Sequence, residues 1–149
     1  MTVAKPAPRG AACLSLEDYL NYDDGTDARY ELVDGALVAM GSESDLNNRI
    51  ALFLLMALAR FVPLGQLRNK TEVETPLGRA SSRYPDLLVL SELGAETIAG
   101  EKRSLVRRSM PAPLLVVEVV SPGEPGEPNY DRDYIEKRLE YGGVGDWGV

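Results

Sequence analysis

The chain has 149 residues, 44% of them hydrophobic and 26% charged, with a formal net charge of −7. These values indicate one globular domain and exclude a disordered chain. Histidine is absent and Cys13 is the single cysteine, which excludes an intrachain disulfide, a Ser-His or Cys-His nucleophilic system and a histidine-rich zinc site. The acidic charge argues against a general nucleic-acid coat, although residues 60–108 carry nine Lys/Arg against six Asp/Glu.

The N-terminal segment and the apolar stretches set the expected domain boundaries and compartment. Residues 1–14 lack the apolar core of a secretory signal, so we expect a flexible arm followed by a single domain over residues 15–149. The longest apolar stretch, residues 50–62, is too short for a bilayer span and contains Arg60, which favours a buried helix and no membrane contact. A single cysteine is typical of a reducing compartment, so we expect a cytoplasmic protein.

Local signals predict the elements of the first half of the chain. A capping serine predicts a short helix over residues 15–22. Two alternating runs within residues 29–40 flank Asp34-Gly35, a pair suited to a type I′ turn, and predict a hairpin. Apolar residues recur at helical spacing from Asp45 to Phe61 and predict a long helix covered on more than one face.

The second half is predicted to alternate strands with a final helix. The pattern predicts strands over residues 65–76 and 84–90, with a turn at 78–82 between them. Residues 91–110 are predicted to be a polar connection with one helical turn, and residues 114–120 a central strand buried on both faces. An amphipathic helix is predicted over residues 130–141, and residues 146–149 are predicted to begin another strand. The expected order is αββαβββα, which is typical of an α/β domain.

Two acidic residues on predicted core strands are candidates for chemistry. Glu118 lies between two pairs of valines, and a lone carboxylate buried there needs a partner, which is an internal arginine, solvent at a strand end or a metal ion. Asp86 stands at the entry to a second apolar strand. If the two strands are neighbours, both side chains can converge on one Mg²⁺ or Mn²⁺ ion, with the carbonyl of Val119 as a further oxygen.

Lys137 and Glu31 each have an ordinary structural interpretation from the pattern alone. Asp133, Lys137 and Tyr141 share one helical face, and an Asp–Lys surface pair four residues apart explains the first two without any function. Glu31 follows Tyr30 in the first hairpin strand, where alternation predicts a solvent-facing side chain.

Four segments together resemble the Uma-type (Uma two) endonucleases of the PD-(D/E)XK nuclease superfamily. The resemblance covers residues 16–149 and is carried by residues 29–40, 84–90, 113–122 and 131–147. It implies a restriction-endonuclease-like fold, in which a central mixed β-sheet is flanked by helices. Members of the family usually continue into further strands, so the domain is expected to lack the last of them.

The resemblance also implies roles for individual residues. Asp86 and Glu118 would be the metal carboxylates, with Glu31 completing the site. Val120 stands where the superfamily usually has its lysine, and the Uma-type pattern places that lysine on the next helix, here Lys137. A histidine that the family commonly has near the start of the long helix is absent here.

These features lead to one expected function and two rivals. The first is a Mg²⁺- or Mn²⁺-dependent endonuclease that hydrolyses DNA phosphodiester bonds. Its DNA backbone contacts would come from four basic residues, Arg68, Lys70, Arg79 and Arg83. The second is a catalytically inert, dimeric binding or assembly module that keeps the nuclease fold, and the third is a hydrolase of another phosphate ester. A homodimer fits the first two hypotheses, since a small nuclease needs two sites to cut two strands.

Overall fold

A computed structural model describes residues 13–76, 78–120 and 126–145. It is a mixed α/β structure with helices around a mixed five-stranded sheet and an antiparallel three-stranded sheet, which confirms the expected restriction-endonuclease-like fold class. Among the described residues, no helix has both the length and the apolar character that crossing a membrane requires. The predicted strand over residues 146–149 lies outside the described residues, as does most of the predicted N-terminal arm.

The helices follow the predicted order, with an eight-residue helix added within residues 91–110, where a single helical turn was predicted. They are α1 (Leu16–Leu20), α2 (Asp45–Leu58), α3 (Glu92–Ala99), α4 (Pro128–Tyr130) and α5 (Lys137–Gly142). A π-helical segment over Asp131–Glu136 joins α4 to α5 into one continuous helical stretch. The Ser15 side chain accepts the Asp18 N–H and Asp18 reaches back to the Ser15 N–H, which is the capping box that starts α1.

Eight strands form two sheets among the described residues. They are β1 (Tyr30–Val33), β2 (Ala36–Ala39), β3 (Leu67–Asn69), β4 (Glu72–Thr75), β5 (Ser81–Arg83), β6 (Leu87–Val89), β7 (Leu105–Val106) and β8 (Leu115–Val117). One sheet has the order β2-β1-β5-β4-β7 and the other β3-β6-β8. Only β4 and β7 pair in parallel. Strands β5 and β6 follow each other in the chain, so residues 84–86 carry the backbone from one sheet to the other.

The predicted hairpin is confirmed in position and turn. Strands β1 and β2 pair with Val33 opposite Ala36. Asp34 has φ 48° and Gly35 has φ 79°, as a type I′ turn requires. A Cβ at Gly35 would also collide with the Cys13 side chain, so glycine is needed there for two reasons.

Several predicted strands and turns are wrong in their extent. The strand expected over residues 65–76 is two strands in two different sheets, because Lys70 adopts φ 53° and turns the chain between them. The turn expected over residues 78–82 ends in strand β5. The polar connection over residues 91–110 contains α3 and β7. These elements are stabilised by distant partners that local pattern does not reveal.

Two apolar elements are less covered than predicted. Strand β8 was expected at the centre of a sheet, but it is an edge strand among the described residues and Leu115 is 42% exposed. Helix α2 ends three residues before the predicted Phe61, and its single buried residue is Asn47. The core instead lies between the sheets and α3. It comprises Val73, Leu88, Leu90, Ile98, Val106 and Val144.

Candidate active site

The two candidate carboxylates lie side by side. Strands β6 and β8 are antiparallel, and their last pair is Leu87 with Val117. The next residues along each strand are Asp86 and Glu118, so the same register puts them opposite each other. Directly opposite residues project on the same face of a sheet. The Val119 N–H donates to Asp86 Oδ2 at 2.6 Å, which fixes this carboxylate against the Glu118 strand.

Lys137 approaches this pair from the C-terminal helix. Its ammonium forms a hydrogen-bonded ion pair with Glu118 Oε1. Asp133 Oδ1 is 3.6 Å and Glu31 Oε1 is 4.0 Å from Lys137 Nζ. The predicted shared face of Asp133 and Lys137 is therefore present, but both side chains are buried and the ordinary surface-pair interpretation is wrong.

The helical stretch over residues 128–142 turns a charged face toward the sheets. Asp133, Lys137 and Glu140 are buried, while the apolar Ile135 and Leu139 are about half or more exposed. An amphipathic helix normally does the reverse. The inversion is explained by the charged groups that the sheets present to this helix.

Arg83 is the main one of these groups. Its side chain is 0% exposed, and its Nε and Nη2 donate to the two carboxylate oxygens of Glu140 at 2.8 and 2.6 Å. Its Nη1 donates to Glu31 Oε2 at 3.2 Å. A fully buried guanidinium that is bound by Glu31 and Glu140 cannot reach a DNA backbone, so the expected DNA contact of Arg83 is wrong.

Glu31 also differs from its predicted environment. It is buried, although alternation predicted a solvent-facing side chain. Its Oε1 accepts the Tyr84 N–H at 3.0 Å, where the chain leaves β5. Glu31 thus connects Arg83 to Lys137, and the sequence could not show this because both partners are distant along the chain.

Burial dominates the protonation of the acidic pair. It raises the pKa of Glu118 to about 7 from an ordinary value of 4.5, although Lys137 opposes the shift and Asp86 and Glu31 add to it. Burial also raises the pKa of Asp86, against the Val119 N–H that stabilises its charged form, and the nearby Glu43 raises it further. A cation bound between the two carboxyl groups would favour their charged forms and would displace their protons.

The neighbouring cation and phenol keep their protons at neutral pH. Burial disfavours the charged form of Lys137, but Glu31, Glu118 and Asp133 outweigh it and raise its pKa. Burial, followed by the charges of Glu118 and Glu31, raises the pKa of Tyr141 well above its ordinary value, and its hydroxyl lies 3.4 Å from Glu118 Oε2. Lys137 is thus a cation and Tyr141 a hydrogen-bond donor.

An open depression of about 260 Å³ gives access to this cluster. Glu118, Lys137 and Tyr141 line it, together with the exposed Arg138, which sequence reasoning missed. Glu43, which precedes α2 and raises the pKa of Asp86, was also missed. The signal for Arg138 was its position next to Lys137 on the same helix.

The remaining candidate DNA contacts lie outside the acidic cluster. Arg68 Nη1 donates to the backbone carbonyls of Gly65 and Leu67. Lys70 is exposed and directly follows β3, whose last residue pairs with Leu87, the neighbour of Asp86. Arg79 is exposed beside the hairpin turn, where its N–H donates to Asp34. These positions leave all three side chains accessible to solvent at least in part.

The donor set at the site consists of oxygen atoms. In the described ranges, no group of three or more acidic, cysteine or histidine side chains is arranged to hold a metal ion. The groups present are the Asp86 and Glu118 carboxylates and the adjoining backbone of Val119. Such oxygens suit the hard cations Mg²⁺ and Mn²⁺, which complete their coordination with water. The chemistry of the donors therefore fits the metal that the fold family implies.

Comparison with known proteins identifies the family. No curated protein matches the chain at a significant level. A family model, Uma2, described as "Putative restriction endonuclease", matches residues 16–145. This range contains every element and every site residue described above and confirms the resemblance seen in the sequence. The chain belongs to the Uma2 family of restriction-endonuclease-type proteins.

Proposed function

We propose that the protein is a metal-dependent endonuclease that hydrolyses DNA phosphodiester bonds. The observation that carries the proposal is the contact of the Lys137 ammonium with Glu118 in an open depression. The strand register places Asp86 opposite Glu118. Two carboxylates beside a fixed cation are suited to phosphoryl transfer, in which catalysis is mainly positioning and charge stabilisation. Membership of a restriction-endonuclease family supports a nuclease activity.

Asp86, Glu118 and the Val119 carbonyl would hold the metal ion. When bound, Mg²⁺ or Mn²⁺ polarises a phosphate oxygen and lowers the pKa of a coordinated water. The protein contributes the orientation of the donors. The Val119 N–H holds Asp86 Oδ2 in place at 2.6 Å.

Lys137 supplies positive charge for the phosphate. Its raised pKa keeps it protonated, and three carboxylates surround its ammonium, so it stays in place if one of them turns to another partner. A positioned ammonium stabilises the negative charge that develops on the phosphate oxygens in the transition state. Loss of such a donor typically costs roughly 10²–10³ in rate.

Phosphate contacts away from the site would orient the duplex. Arg68, Lys70 and Arg79 are the remaining candidates from the sequence, and the exposed Arg138 at the depression is a further one. Such contacts position the nucleic acid without reading its sequence. A restricted basic surface is compatible with the net charge of −7, because only the contacted phosphates need neutralising.

The test is cleavage of plasmid DNA with Mg²⁺ or Mn²⁺, combined with Mn²⁺ calorimetry. Glu118→Ala and Asp86→Ala should lose both cleavage and Mn²⁺ binding, whereas Lys137→Met should lose roughly 10²-fold or more in rate and still bind Mn²⁺. Glu96→Ala, which removes an exposed glutamate on α3, is the matched control.

Unchanged cleavage in both carboxylate variants would refute the proposal. Hydrolysis of a small phosphodiester without any nicking of plasmid DNA would instead indicate a different phosphate ester as the substrate. Both results can be read only from variants that keep the far-ultraviolet circular dichroism of the wild type.

The alternative is an inert, dimeric binding or assembly module. The exposed apolar side chains of α2, which include Leu46, Leu52, Phe53 and Met56, favour it because a free helix face of this kind is typical of an interface. Fold does not guarantee activity. A well-folded wild type that binds no Mn²⁺ would favour this alternative over the nuclease.

A further inference from the structure

A second pocket, of about 360 Å³, lies among the tyrosines of the N-terminal half. Four of the seven tyrosines of the chain line it, namely Tyr19, Tyr22, Tyr30 and Tyr84. Its volume is at the lower end of the range for small-molecule sites, which is roughly 300–1,000 Å³. None of its lining residues lines the depression beside Glu118.

The pocket opens on the opposite face of the sheet from the candidate active site. Arg83 faces Glu31 and Glu140, whereas the next residue, Tyr84, lines the pocket. In β1, Glu31 faces the active site and the preceding Tyr30 lines the pocket. Successive side chains of a strand point to opposite faces, so the same two strands serve both sites.

A buried glutamate supports the pocket from beneath. Glu72 is 1% exposed and accepts hydrogen bonds from Tyr19 Oη at 2.7 Å and from Ser82 Oγ at 2.9 Å. Arg103 donates to the other carboxylate oxygen of Glu72, and its guanidinium lies 5.0 Å from the centre of the Tyr19 ring. These contacts fix the inner wall, which is therefore formed before any ligand arrives.

The rim is basic and aromatic. Arg29 lies 5.1 Å over the Tyr84 ring, and Lys102 is exposed beside it in the lining. Neither forms an ion pair within the described part of the chain. Tyr22 meets Tyr30 edge to face and stays 45% exposed.

The pocket lining carries positive charge and no negative charge of its own. No Asp or Glu belongs to the lining. Glu72 is bound as described, and Asp24 accepts hydrogen bonds from Thr26 and from the Tyr30 hydroxyl. Arg29 and Lys102 beside aromatic faces therefore favour a ligand that is both anionic and planar, since an anion can bind the cations and a planar group can stack on the rings.

We propose that this pocket binds a nucleoside phosphate, with the base stacked on Tyr22 and the phosphate held by Arg29 and Lys102. Aromatic faces beside basic groups are the usual elements of single-strand recognition. The ligand is either an unpaired nucleotide of a nucleic-acid strand or a free nucleotide. The inference does not depend on catalysis at Glu118, and in a nuclease it would hold a displaced or single-stranded part of the substrate.

The experiment measures fluorescence anisotropy of a labelled short oligothymidylate at low ionic strength in EDTA, where no metal-dependent cleavage occurs. Tyr22→Ala and Lys102→Ala should each weaken binding by roughly 5- to 150-fold, the range that loss of one stacked base or its phosphate contact produces. The controls are Phe61→Ala and Arg60→Ala, which remove an exposed aromatic residue and an exposed cation elsewhere and should bind like the wild type.

Competition by thymidine 5′-monophosphate separates the two sources of ligand. Displacement of the oligonucleotide identifies a site for free nucleotides, whereas binding that only the oligonucleotide shows identifies a strand site, and both support the proposal. Wild-type affinity in Tyr22→Ala and Lys102→Ala would overturn it. Glu118→Ala should keep this binding even if it loses cleavage, so failure here and failure of the proposed nuclease activity are distinguishable.

Discussion

Glu118 is under two opposing influences at the scale of a single residue. Burial favours its neutral form, and the Lys137 ammonium favours its charged form. Burial wins in the metal-free protein, which raises the pKa to about 7. Near neutral pH this carboxylate can therefore take up or release a proton with little cost, and a cation that binds it competes with that proton.

The raised pKa predicts how stability depends on pH. Because the folded-state pKa of about 7 exceeds the ordinary 4.5, the folded protein binds more protons than the unfolded chain between these values. The contribution of Glu118 to stability is thus complete below about pH 4.5 and is lost as the pH rises through about 7. The stability difference between wild type and Glu118→Gln should fall by up to about 3 kcal/mol from pH 5 to pH 8.

Urea denaturation in EDTA at both pH values measures this difference. Glu96→Gln, a change at an exposed position, serves as the control and should show the pH dependence of the wild type. A difference that stays constant or grows with pH would mean that Glu118 is already ionised in the folded protein under acidic conditions.

Sequence reasoning named the candidate site residues but not the residues that hold them in place. Asp86 and Glu118 stand out because each interrupts or borders an apolar run, and the helical spacing of Asp133 and Lys137 is visible along the chain. The buried ion pairs of Arg83 are not, since Glu140 is 57 residues away from it. The positive charge of Arg83 therefore suggested a DNA contact, although this side chain is buried and pairs with Glu31 and Glu140.

At the scale of elements, the Arg83–Glu140 pair docks the C-terminal helical stretch on the sheet. The bidentate geometry and the hydrogen bond from Thr75 to Glu140 satisfy both carboxylate oxygens. Lys137 lies one turn before Glu140 on the same face, so the docking also sets the position of its ammonium. The charged inner face of this helix is stable because the strands supply matching charges, which are Arg83 of β5 for Glu140 and Glu31 of β1 for Lys137.

Breaking this pair should be far more costly than breaking a surface pair. Arg83→Met leaves Glu31 and Glu140 buried without their partner and should lower the free energy of unfolding by about 3–5 kcal/mol. The double variant Arg83→Met/Glu140→Leu should lose less than the sum of the two single variants, because it removes both charges. Denaturant unfolding of the three variants measures the coupling.

Arg107→Met is the matched control for a salt bridge at the surface. Arg107 pairs with Glu17, which is 66% exposed, so its loss should change stability by less than about 1 kcal/mol. Additive effects of Arg83→Met and Glu140→Leu would contradict the docking role.

Elements with local signals were predictable, and those defined by distant pairing were not. The hairpin turn at Asp34-Gly35 and the capping box of α1 are encoded in a few adjacent residues. Strands β3 and β4 are close in sequence but belong to different sheets, and only their partners decide this. For the same reason, an apolar composition could not show that β8 is an edge strand in the described part of the chain.

At the scale of the whole molecule, both proposed sites follow from one feature of the architecture. Residues 84–86 carry the chain from the five-stranded to the three-stranded sheet. Next to this crossing, Asp86 lies opposite Glu118. Arg83 binds Glu140 of the C-terminal helical stretch, and Glu31 lies near Lys137 of the same stretch. Tyr84 lines the pocket on the opposite face. A candidate catalytic site and a nucleotide pocket can therefore share a rigid support without sharing any side chain.

The exposed face of α2 predicts the assembly state. Leu46, Phe53 and Met56 are 60%, 71% and 66% exposed, and the helix carries only Asp45 and Arg49 as charged residues. A continuous apolar stripe of this kind is costly in water, and a second copy of the same chain can cover it by two-fold symmetry. We expect a homodimer, and a nuclease would gain from it a site for each DNA strand.

Light scattering after gel filtration tests the dimer over a range of concentrations. Phe53→Glu would bury two charges in a two-fold interface and should shift the mass to that of a monomer, with a dissociation constant raised more than about tenfold. Leu139→Glu changes a residue that is 63% exposed on the C-terminal helix and should keep the mass of the wild type. A monomeric wild type at all concentrations would exclude the dimer. It would leave the proposed metal and nucleotide sites unaffected, because every residue assigned to them belongs to one chain.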